Sequence, residues 1–423
     1  MSGSGGQSNG RLWFGFVLLG GLLAVRRRSV SRRRSTLRAP RLYAARRISL
    51  CLGILVAALS GALATGCTAA QVETVEARRS ALSGDSPLVA HFRDAESRSG
   101  VPAELLATIA FAQSRLTQSA SIAKDAHDTR EVGIMALSTT GADQLGEAAR
   151  ISGLSEAALR TDARANIVAA SAWLRAQGNA AGVGGVDAWW PAVARYGGAE
   201  LVEEVRLLLT HGWDGTDEEG RTVRVAPLPP DSMPADGIAQ VSEPLGYPGA
   251  TFTPAAPGNY APASRGAGQI NYVVIHTIQG SYSGAISWFK NPSAKVSSHY
   301  VVRSSDGRIT QMVDDSDIAY HDGCFNSNSI GIEHEGFVDD PGKWYTDAMY
   351  RESAKLTAWL CDKYNIPKDR QHILGHNETP DCSDHTDPGS GWDWNKYMNY
   401  VKGQTCKAQC AWDGNLIQKD CSV

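Results

Sequence analysis

Histidine is concentrated in one stretch of the 423-residue chain, where seven of the ten histidines fall between His276 and His385. His276 ends the β-branched run NYVVIH, His376 stands in LGHNE, and Asp387 follows His385 in HTDPG. One histidine at the end of a strand is usually only a polar terminus, but three such sites point to shared chemistry. A catalytic zinc needs three protein ligands and one open position, and two imidazoles with one carboxylate meet that need. The sequence therefore predicts a zinc site formed by His276, His376 and Asp387.

The elements that must position these residues are short β-runs separated by helices, beginning at about Ile270. The predicted strands are NYVVIH, SHYVVR, RITQMV, SIGIEHE and HILGH. Asp306-Gly307 predicts a hairpin turn before RITQMV, and Tyr345–Tyr364 predicts a long helix. The pattern is typical of a mixed α/β domain.

Six motifs, taken in their order along the chain, resemble those of a known family. VVIHT, SSHYVVRSSDGRITQMV, IAYHDG, NSIGIEHEG, LGHNE and HTDPG are similar to the type-2 N-acetylmuramoyl-L-alanine amidases, which share a fold with the peptidoglycan recognition proteins. The resemblance covers about 245–402 and is specific through the motifs jointly. It implies zinc bound by His276, His376 and Asp387, and a catalytic glutamate at Glu333 in IGIE. Such a carboxylate takes a proton from water and passes it to the leaving amine.

Two positions leave a choice. Glu333 and Glu335 share one face of a strand, so periodicity alone does not choose between them, and the resemblance favours Glu333. His385 stands where the family often has lysine, two residues before the zinc aspartate. On an extended segment it would face the metal beside Asp387 and stabilise the oxyanion. The alternative is a solvated loop histidine.

Three more residues of the motifs are given roles other than ligand. His299 is predicted to pack near the site, and His321 is predicted to line the cleft. Asn328 is predicted to order the loop before the SIGIEHE strand.

Residues 86–213 predict a separate helical domain. Leu105, Leu106, Ile109 and Ala112 recur at helical spacing. ELLATIAFAQSRL, VGIMALSTTGADQLG, ANIVAASAWLRAQ and WWPAVARYGG resemble, more weakly, the lysozyme-like lytic transglycosylases. The catalytic glutamate of that family is replaced by Gln113, whose amide cannot protonate a glycosidic oxygen. We therefore expect a catalytically inactive domain that binds sugar, or else a helical spacer without a ligand.

Charge is distributed unevenly along the chain. Residues 1–66 carry 11 arginines and no Lys, Asp or Glu, whereas the remainder has 30 basic against 44 acidic residues. An acidic body of this kind argues against nucleic acid as a partner, since phosphate binding needs clustered Lys and Arg.

The leader has the arrangement of an export signal. Basic Arg46-Arg47 precedes the apolar run Ile48–Ala64, and small residues follow. Leu63–Cys67 resembles a bacterial lipobox, which implies a lipid on Cys67 and a membrane anchor. Because Thr68 rather than aspartate comes next, we expect the periplasmic face of the outer membrane. The alternatives are an ordinary cleaved signal, hence a secreted protein, and an uncleaved anchor.

Cysteine use agrees with export. An even set of six follows Cys67 and predicts disulfides, because exported proteins fold in oxidising surroundings. Cys324 and Cys382 both lie near the zinc motifs in sequence, so we pair them. Cys361 is then predicted to pair within the tail that holds Cys406, Cys410 and Cys421.

Together these features predict a zinc-dependent peptidoglycan hydrolase that cleaves the amide between N-acetylmuramic acid and L-alanine and acts as a monomer. The alternative from another class is a protein that recognises peptidoglycan or muropeptides without cutting them. The predicted fold is an all-α lysozyme-like domain followed by a mixed β-sheet flanked by helices. The predicted segments are a leader (1–66), a tether (67–85), the helical domain (86–213), a Pro/Gly-rich linker (214–244), the amidase domain (245–404) and a Cys-rich tail (405–423).

Overall fold

The computed structural model describes residues 81–118, 130–140, 143–178, 185–229, 246–379 and 385–403. The leader, Cys67, Cys382 and the Cys-rich tail lie outside these ranges. Within them, no helix has both the length and the apolar character needed to cross a bilayer.

The first part of the described chain is mainly helical. Its helices are α1 (Pro87–Ser99), α2 (Ala103–Ser114), α3 (Gln144–Ser152), α4 (Glu156–Thr161), α5 (Ala163–Gln177) and α6 (Trp190–His211). Helix α1 begins where the Ser86 side chain accepts a hydrogen bond from the Leu88 N–H, and it ends at a left-handed Gly100. Helix α2 is buried at nearly every position, so it forms the centre of this domain.

Short strands complete the helical domain. A small hairpin joins β2 (Glu131–Val132) and β3 (Leu137–Ser138), and β1 (Leu82–Ser83) pairs with β5 (Thr222–Val225), which pairs with β4 (Trp213–Thr216). Trp213, Val223 and Val225 belong to the same apolar core as the helices. The predicted linker is therefore wrong over 214–225, because alternate residues of these strands bury apolar side chains against the helices. Strand β1 likewise falls inside the predicted tether.

The second part of the described chain is built on a six-stranded mixed sheet. Its strands, in spatial order, are β13 (Ile373–Gly375), β8 (Tyr272–Thr277), β12 (Ser329–His334), β9 (Tyr300–Val302), β10 (Ile309–Gln311) and β6 (Ala250–Phe252). Neighbours run parallel except β9 and β10, which are antiparallel. The loop between those two strands contains the predicted Asp306-Gly307 turn. A small antiparallel pair joins β7 (Tyr260–Ala261) and β11 (Ile318–Ala319).

Helices cover both faces of the sheet. They are α7 (Tyr282–Phe289), α8 (Pro341–Trp344), α9 (Asp347–Tyr364) and α10 (Trp394–Val401). Helices α9 and α10 share an apolar cluster with Val273, Ile275 and Ile332, whereas α7 shares another with Val301 and Met312. The predicted fold class, a mixed sheet flanked by helices after a helical domain, is confirmed.

The two domains meet across a partly charged interface. Arg115 at the end of α2 lies 3.6 Å from the Glu335 carboxylate and 3.7 Å from that of Glu204 on α6. On another part of the interface, Ser283 of α7 donates a hydrogen bond of 2.6 Å to Gln113 Oε1. Ser281 donates to Glu131 through both its N–H and its hydroxyl. Polar contacts therefore join α7 to the helical domain directly.

Candidate metal centre

His276 and Glu333 are brought together by strand pairing. Strand β8 lies parallel to β12 in a register that sets His276 beside Glu333. Side chains of paired residues on neighbouring strands point to the same face of a sheet. His334, one residue later, points to the opposite face, where its Nε2 lies 2.6 Å from Ser353 Oγ on α9. Both His276 and Glu333 are almost completely buried.

His376 and Asp387 complete a compact group. His376 follows strand β13 directly. Asp387 lies on a later loop, and its backbone carbonyl accepts a hydrogen bond from the Asn377 N–H. His376 Nδ1 lies 3.1 Å from Asp387 Oδ1, and His276 Nδ1 lies 3.5 Å from Asp387 Oδ2. One donor atom from each of the three residues falls within 4.8 Å of the other two. Separations of this size allow one cation to contact all three donors.

The carboxylate of Asp387 is held from the backbone side as well. The Thr277 N–H donates to Asp387 Oδ2 over 3.1 Å. Tyr345 donates its hydroxyl proton to the Pro388 carbonyl over 2.7 Å, and the same hydroxyl lies 3.0 Å from Thr277 Oγ1. The Asp387-Pro388 peptide bond is cis. These contacts tie the loop of Asp387 to the end of β8, where His276 lies.

The outer nitrogens of the two histidines meet different partners. His276 Nε2 lies 3.0 Å from Nδ1 of His321, and His376 Nε2 lies 3.3 Å from Oδ1 of Asp322. Both partners are buried. The Nδ1 atom of each ring is therefore left facing Asp387. His321 was expected to line the cleft, and it instead supports His276 from within the protein.

Asp322 was missed by sequence reasoning. Its only signal was its place directly after His321 in YHDG, and an acidic residue next to glycine in a loop is common. The structure makes it notable because its side chain is completely buried beside a histidine of the metal group.

His385 lies at the edge of the same group. Its ring stacks on that of His376 with 3.9 Å between centroids, and its Nδ1 lies 3.7 Å from Asp387 Oδ1. Its side chain is 18% exposed, whereas that of His376 is 2% exposed. This position beside Asp387 is the one expected from the two-residue spacing, and it differs from that of a solvated loop histidine.

Proton affinities differ among the three residues of the group. Burial and the neighbouring His376 lower the pKa of His276 to about 4. Burial alone would raise the pKa of Asp387, but its contacts with His276, His376 and His385 outweigh burial and hold that pKa well below the ordinary range. Burial would lower the pKa of His376, but Asp322 and Asp387 outweigh burial and raise it. Metal binding requires the ionised carboxylate and neutral imidazoles, so a metal would compete with a proton at His376.

The two candidate glutamates are separated by the structure. Glu335 lies beyond the end of β12, and its oxygens accept hydrogen bonds from the N–H groups of Tyr282 (3.1 Å) and Ser304 (2.7 Å). Its third polar neighbour is Arg115 of the helical domain. Glu335 thus belongs to the domain interface, whereas Glu333 is in register with His276.

The remaining motif residues have structural contacts. His299 is buried, accepts a hydrogen bond from the Gly331 N–H at its Nδ1, and lies 2.9 Å from Arg265 Nη2 at its Nε2. The expectation for Asn328 is wrong. Asn326 orders the loop, because its Oδ1 accepts hydrogen bonds from the N–H groups of His321 and Asp322.

Two described cysteines bear on the disulfide predictions. Cys324 is disulfide-bonded, and its pairing with Cys382 stays a prediction because Cys382 lies outside the described residues. Cys361 on α9 is a free, buried thiol, so its predicted pairing with the tail is wrong. It packs among the apolar residues beneath the sheet, and burial raises its pKa to about 12.

Comparisons with known proteins agree on one family. A sequence model described as N-acetylmuramoyl-L-alanine amidase matches residues 266–390. N-acetylmuramoyl-L-alanine amidase A of Achromobacter lyticus is 39% identical over 170 residues, which is 36% of this chain and 94% of that protein. The 1,6-anhydro-N-acetylmuramyl-L-alanine amidase AmpD of Haemophilus influenzae is 37% identical over 117 residues, 26% of this chain and 60% of that protein.

Solved structures give weaker similarities. The amidase LysC from Clostridium intestinale is 18% identical, with a TM-score of 0.25, and the match covers 32% of this chain and 86% of LysC. The hydrolase AmiA of Staphylococcus aureus is 17% identical, with a TM-score of 0.29, and the match covers 36% of this chain and 80% of the AmiA chain. The Achromobacter protein is matched over nearly its whole length, and through its C-terminal domain the chain belongs to the N-acetylmuramoyl-L-alanine amidase family.

Proposed function

We propose that this protein is a zinc-dependent peptidoglycan amidase that cleaves the bond between N-acetylmuramic acid and L-alanine. Family membership supports amidase activity on peptidoglycan. The observation that carries the finer proposal is the convergence of His276, His376 and Asp387 within 4.8 Å, with Glu333 in register beside His276.

The donor set fits zinc. Two imidazole nitrogens and one carboxylate oxygen form a three-ligand set that leaves a fourth position for water or substrate. Hard cations such as Mg²⁺ prefer sites made of oxygen donors alone. Zinc bound here would polarise the scissile carbonyl and lower the pKa of water.

Two residues of the chain are proposed to act on the reacting atoms. Glu333 takes the proton of the attacking water and delivers it to the departing amide nitrogen. His385, at the more exposed edge of the group, donates an N–H to the oxygen that gains negative charge. The buried side of the site holds the ligands in place through His321 and Tyr345.

Digestion of purified sacculi tests the proposal. Wild-type protein should release peptides with a free L-alanine amino group, identified by mass. Glu333→Gln should bind zinc normally but lose about 10²–10⁴ in turnover, the usual contribution of a general base. His376→Ala and Asp387→Ala should lose both metal and activity. Full activity in metal-free His376→Ala protein would exclude the mechanism.

The alternative is a protein that binds muropeptides without cutting them. All three donors and Glu333 are present in one group, which favours the enzyme. A wild-type protein that retains muropeptides on a column but releases no peptide from sacculi would support the alternative.

The helical domain is proposed to have no glycosidase activity. Gln113 is buried and accepts a hydrogen bond from Ser283 of the amidase domain, and its amide cannot protonate a glycosidic oxygen. Sacculi treated with the full-length His376→Ala variant should yield no anhydro-sugars. Their appearance would show that this domain cuts glycan.

Export and lipidation are proposed from sequence. Peptidoglycan lies outside the cytoplasm, and Leu63–Cys67 resembles a lipobox. We propose that lipidated Cys67 anchors the protein at the periplasmic face of the outer membrane. Mass spectrometry of the mature N-terminus checks this, and an unmodified N-terminus elsewhere would reject it.

Non-reducing peptide mapping tests the proposed Cys324–Cys382 disulfide.

A further inference from the structure

The outer nitrogen of His376 meets a carboxylate with no assigned role. Asp322 Oδ1 lies 3.3 Å from His376 Nε2, and the Asp322 side chain is completely buried. Thr379 donates its hydroxyl to the same oxygen over 3.1 Å. The Asp322 N–H donates to Asn326 Oδ1 over 2.7 Å. Thr379 therefore holds the carboxylate, and Asn326 separately holds the backbone of Asp322.

A carboxylate at this position holds a proton on the outer nitrogen of the imidazole. An ionised carboxylate only accepts hydrogen bonds, so Asp322 favours a proton on His376 Nε2. Nδ1 faces the second carboxylate, Asp387, over 3.1 Å. A metal bound at Nδ1 would take the place of a proton there, while Asp322 would keep the proton on Nε2 and orient the ring.

The two histidines of the metal group differ in this respect. The outer nitrogen of His276 meets the ring of His321, and His321 Nε2 in turn lies 3.1 Å from Ser329 Oγ. Those contacts are between groups that can each donate or accept. Asp322 can only accept when ionised, so it constrains its histidine more strictly.

We infer that Asp322 is a positioning residue that holds the His376 ring through Nε2 and strengthens His376 as a metal ligand. The inference rests on the proposed metal site, and it adds a residue to that site. Carboxylates that hold the second nitrogen of a ligand histidine raise its basicity, and their loss typically weakens metal binding 10–100-fold.

Zinc affinity of the full-length protein gives the first test. Zinc-free protein would compete for the metal with a chromophoric chelator. Asp322→Ala should weaken binding about 10–100-fold, while Asp322→Asn, which keeps an oxygen acceptor but loses the charge, should fall between it and wild type. Asp306→Asn is the matched control, because it removes a carboxylate paired with Arg303 in the β9–β10 hairpin. Its zinc affinity should equal that of wild type.

The Nε2 proton of His376 gives the second test. In zinc-loaded protein with ¹⁵N-labelled histidine, long-range ¹H–¹⁵N spectra should show His376 protonated at Nε2, with the signal assigned by its absence from His376→Ala. Asp322→Ala should speed the exchange of that proton with water, because its acceptor is lost. If Asp322→Ala fails to fold, Thr379→Val, which removes a hydroxyl that contacts Asp322 Oδ1 and the His376 carbonyl, should speed the exchange less.

These measurements separate the inference from the proposed function. A wild-type protein that binds no zinc would overturn the metal site and the inference together. Wild-type zinc affinity and unchanged exchange of the His376 Nε2 proton in the Asp322 variants would overturn the inference alone.

Discussion

His385 shows at the scale of one residue how a ligand site becomes a reactive site. The three donor residues are buried and contact one another, whereas His385 stacks on His376 and keeps part of its ring exposed. An exposed edge is where a substrate can reach, and a buried one is where a ligand is best protected from water. The difference in exposure therefore supports separate roles for His385 and for the donors.

Removing the His385 ring should reduce turnover while leaving zinc in place. We expect His385→Ala to lower kcat by roughly 10²–10³, the usual effect of losing one oxyanion donor. Bound zinc would be measured by elemental analysis beside the rate on sacculi. His372→Ala is a suitable control, because His372 pairs with Asp369 away from the donor group. A wild-type rate in His385→Ala would show that His385 has no catalytic role.

At the scale of elements, the site depends on how closely the side chain of His321 can approach strand β12. Gly331 lies on β12 two residues before Glu333, and His321 packs directly against it. A Cβ at this glycine would lie 2.5 Å from His321 Cγ. Nonbonded contacts of a Cβ atom are essentially never that short, so the ring of His321 would have to move. Because His321 contacts the outer nitrogen of His276, the displacement would reach a proposed metal donor.

We therefore expect Gly331→Ala to affect stability and metal binding together. Overpacking of this kind costs about 1–3 kcal/mol in the free energy of unfolding. Zinc affinity should fall as well, because His276 loses its support. Gly342→Ala is the matched control, since a Cβ there meets nothing within 4 Å. Denaturant unfolding and chelator competition would measure the two effects, and unchanged zinc affinity in Gly331→Ala would show that His321 does not support His276.

At the scale of the whole molecule, buried charges join the two domains. Arg115 lies between the carboxylates of Glu204 and Glu335, and its guanidinium also lies 5.0 Å from the ring centres of Phe111 and Trp344. Trp344 directly precedes Tyr345, whose hydroxyl holds the loop of Asp387. The helical domain therefore packs against the segment that supports the metal group.

Loss of Arg115 should destabilise the protein strongly. Arg115→Met keeps the apolar length of the side chain but leaves two buried carboxylates without their cation. Breaking a buried ion pair in this way costs about 3–5 kcal/mol in the free energy of unfolding. Arg98→Met, which breaks an exposed pair with Asp94, should cost less than about 1 kcal/mol. Urea unfolding of both variants measures the difference, and equal costs would show that the interface charges contribute little.

The same cluster predicts a dependence of stability on pH. Burial and the neighbouring Glu204 raise the pKa of Glu335 from 4.5 to about 7. Between these values the folded protein holds a proton that the unfolded chain releases, so the contribution of Glu335 to stability falls as pH rises. Glu204→Gln removes part of the repulsion and should reduce this fall.

The comparison that tests it is the difference between Glu204→Gln and wild type. Urea unfolding measures the free energy of unfolding of both proteins at pH 5 and at about pH 7.5. As pH rises between these values, the stability of the variant relative to wild type should increase. Contributions from titrating groups that the two proteins share cancel in the difference. An identical difference at both pH values would show that Glu204 does not act on Glu335.

Local pattern was enough to predict most of the amidase domain. The runs around His276, Glu333 and His376 carry β-branched residues, and all three fall on or beside the predicted strands. The two-residue spacing of His385 and Asp387 placed both at the same site. Pattern failed where a contact distant in sequence decides the outcome. The linker prediction fails over 214–225, because these residues pack against helices that lie more than a hundred residues earlier in the chain.

The sequence by itself predicted the family, the group of His276, His376 and Asp387 and the mixed α/β sheet that follows a helical region, because these depend on residue types and on short spacings. Only the tertiary structure distinguished Glu333 from Glu335. Alternation places both on one face of a strand, but the strand ends at His334, and pairing with β8 sets only Glu333 beside His276. Tertiary structure alone also placed Asp322 behind His376 and Asn326, rather than Asn328, in the loop. Such contacts depend on how separate loops converge in space, and no local pattern records that convergence.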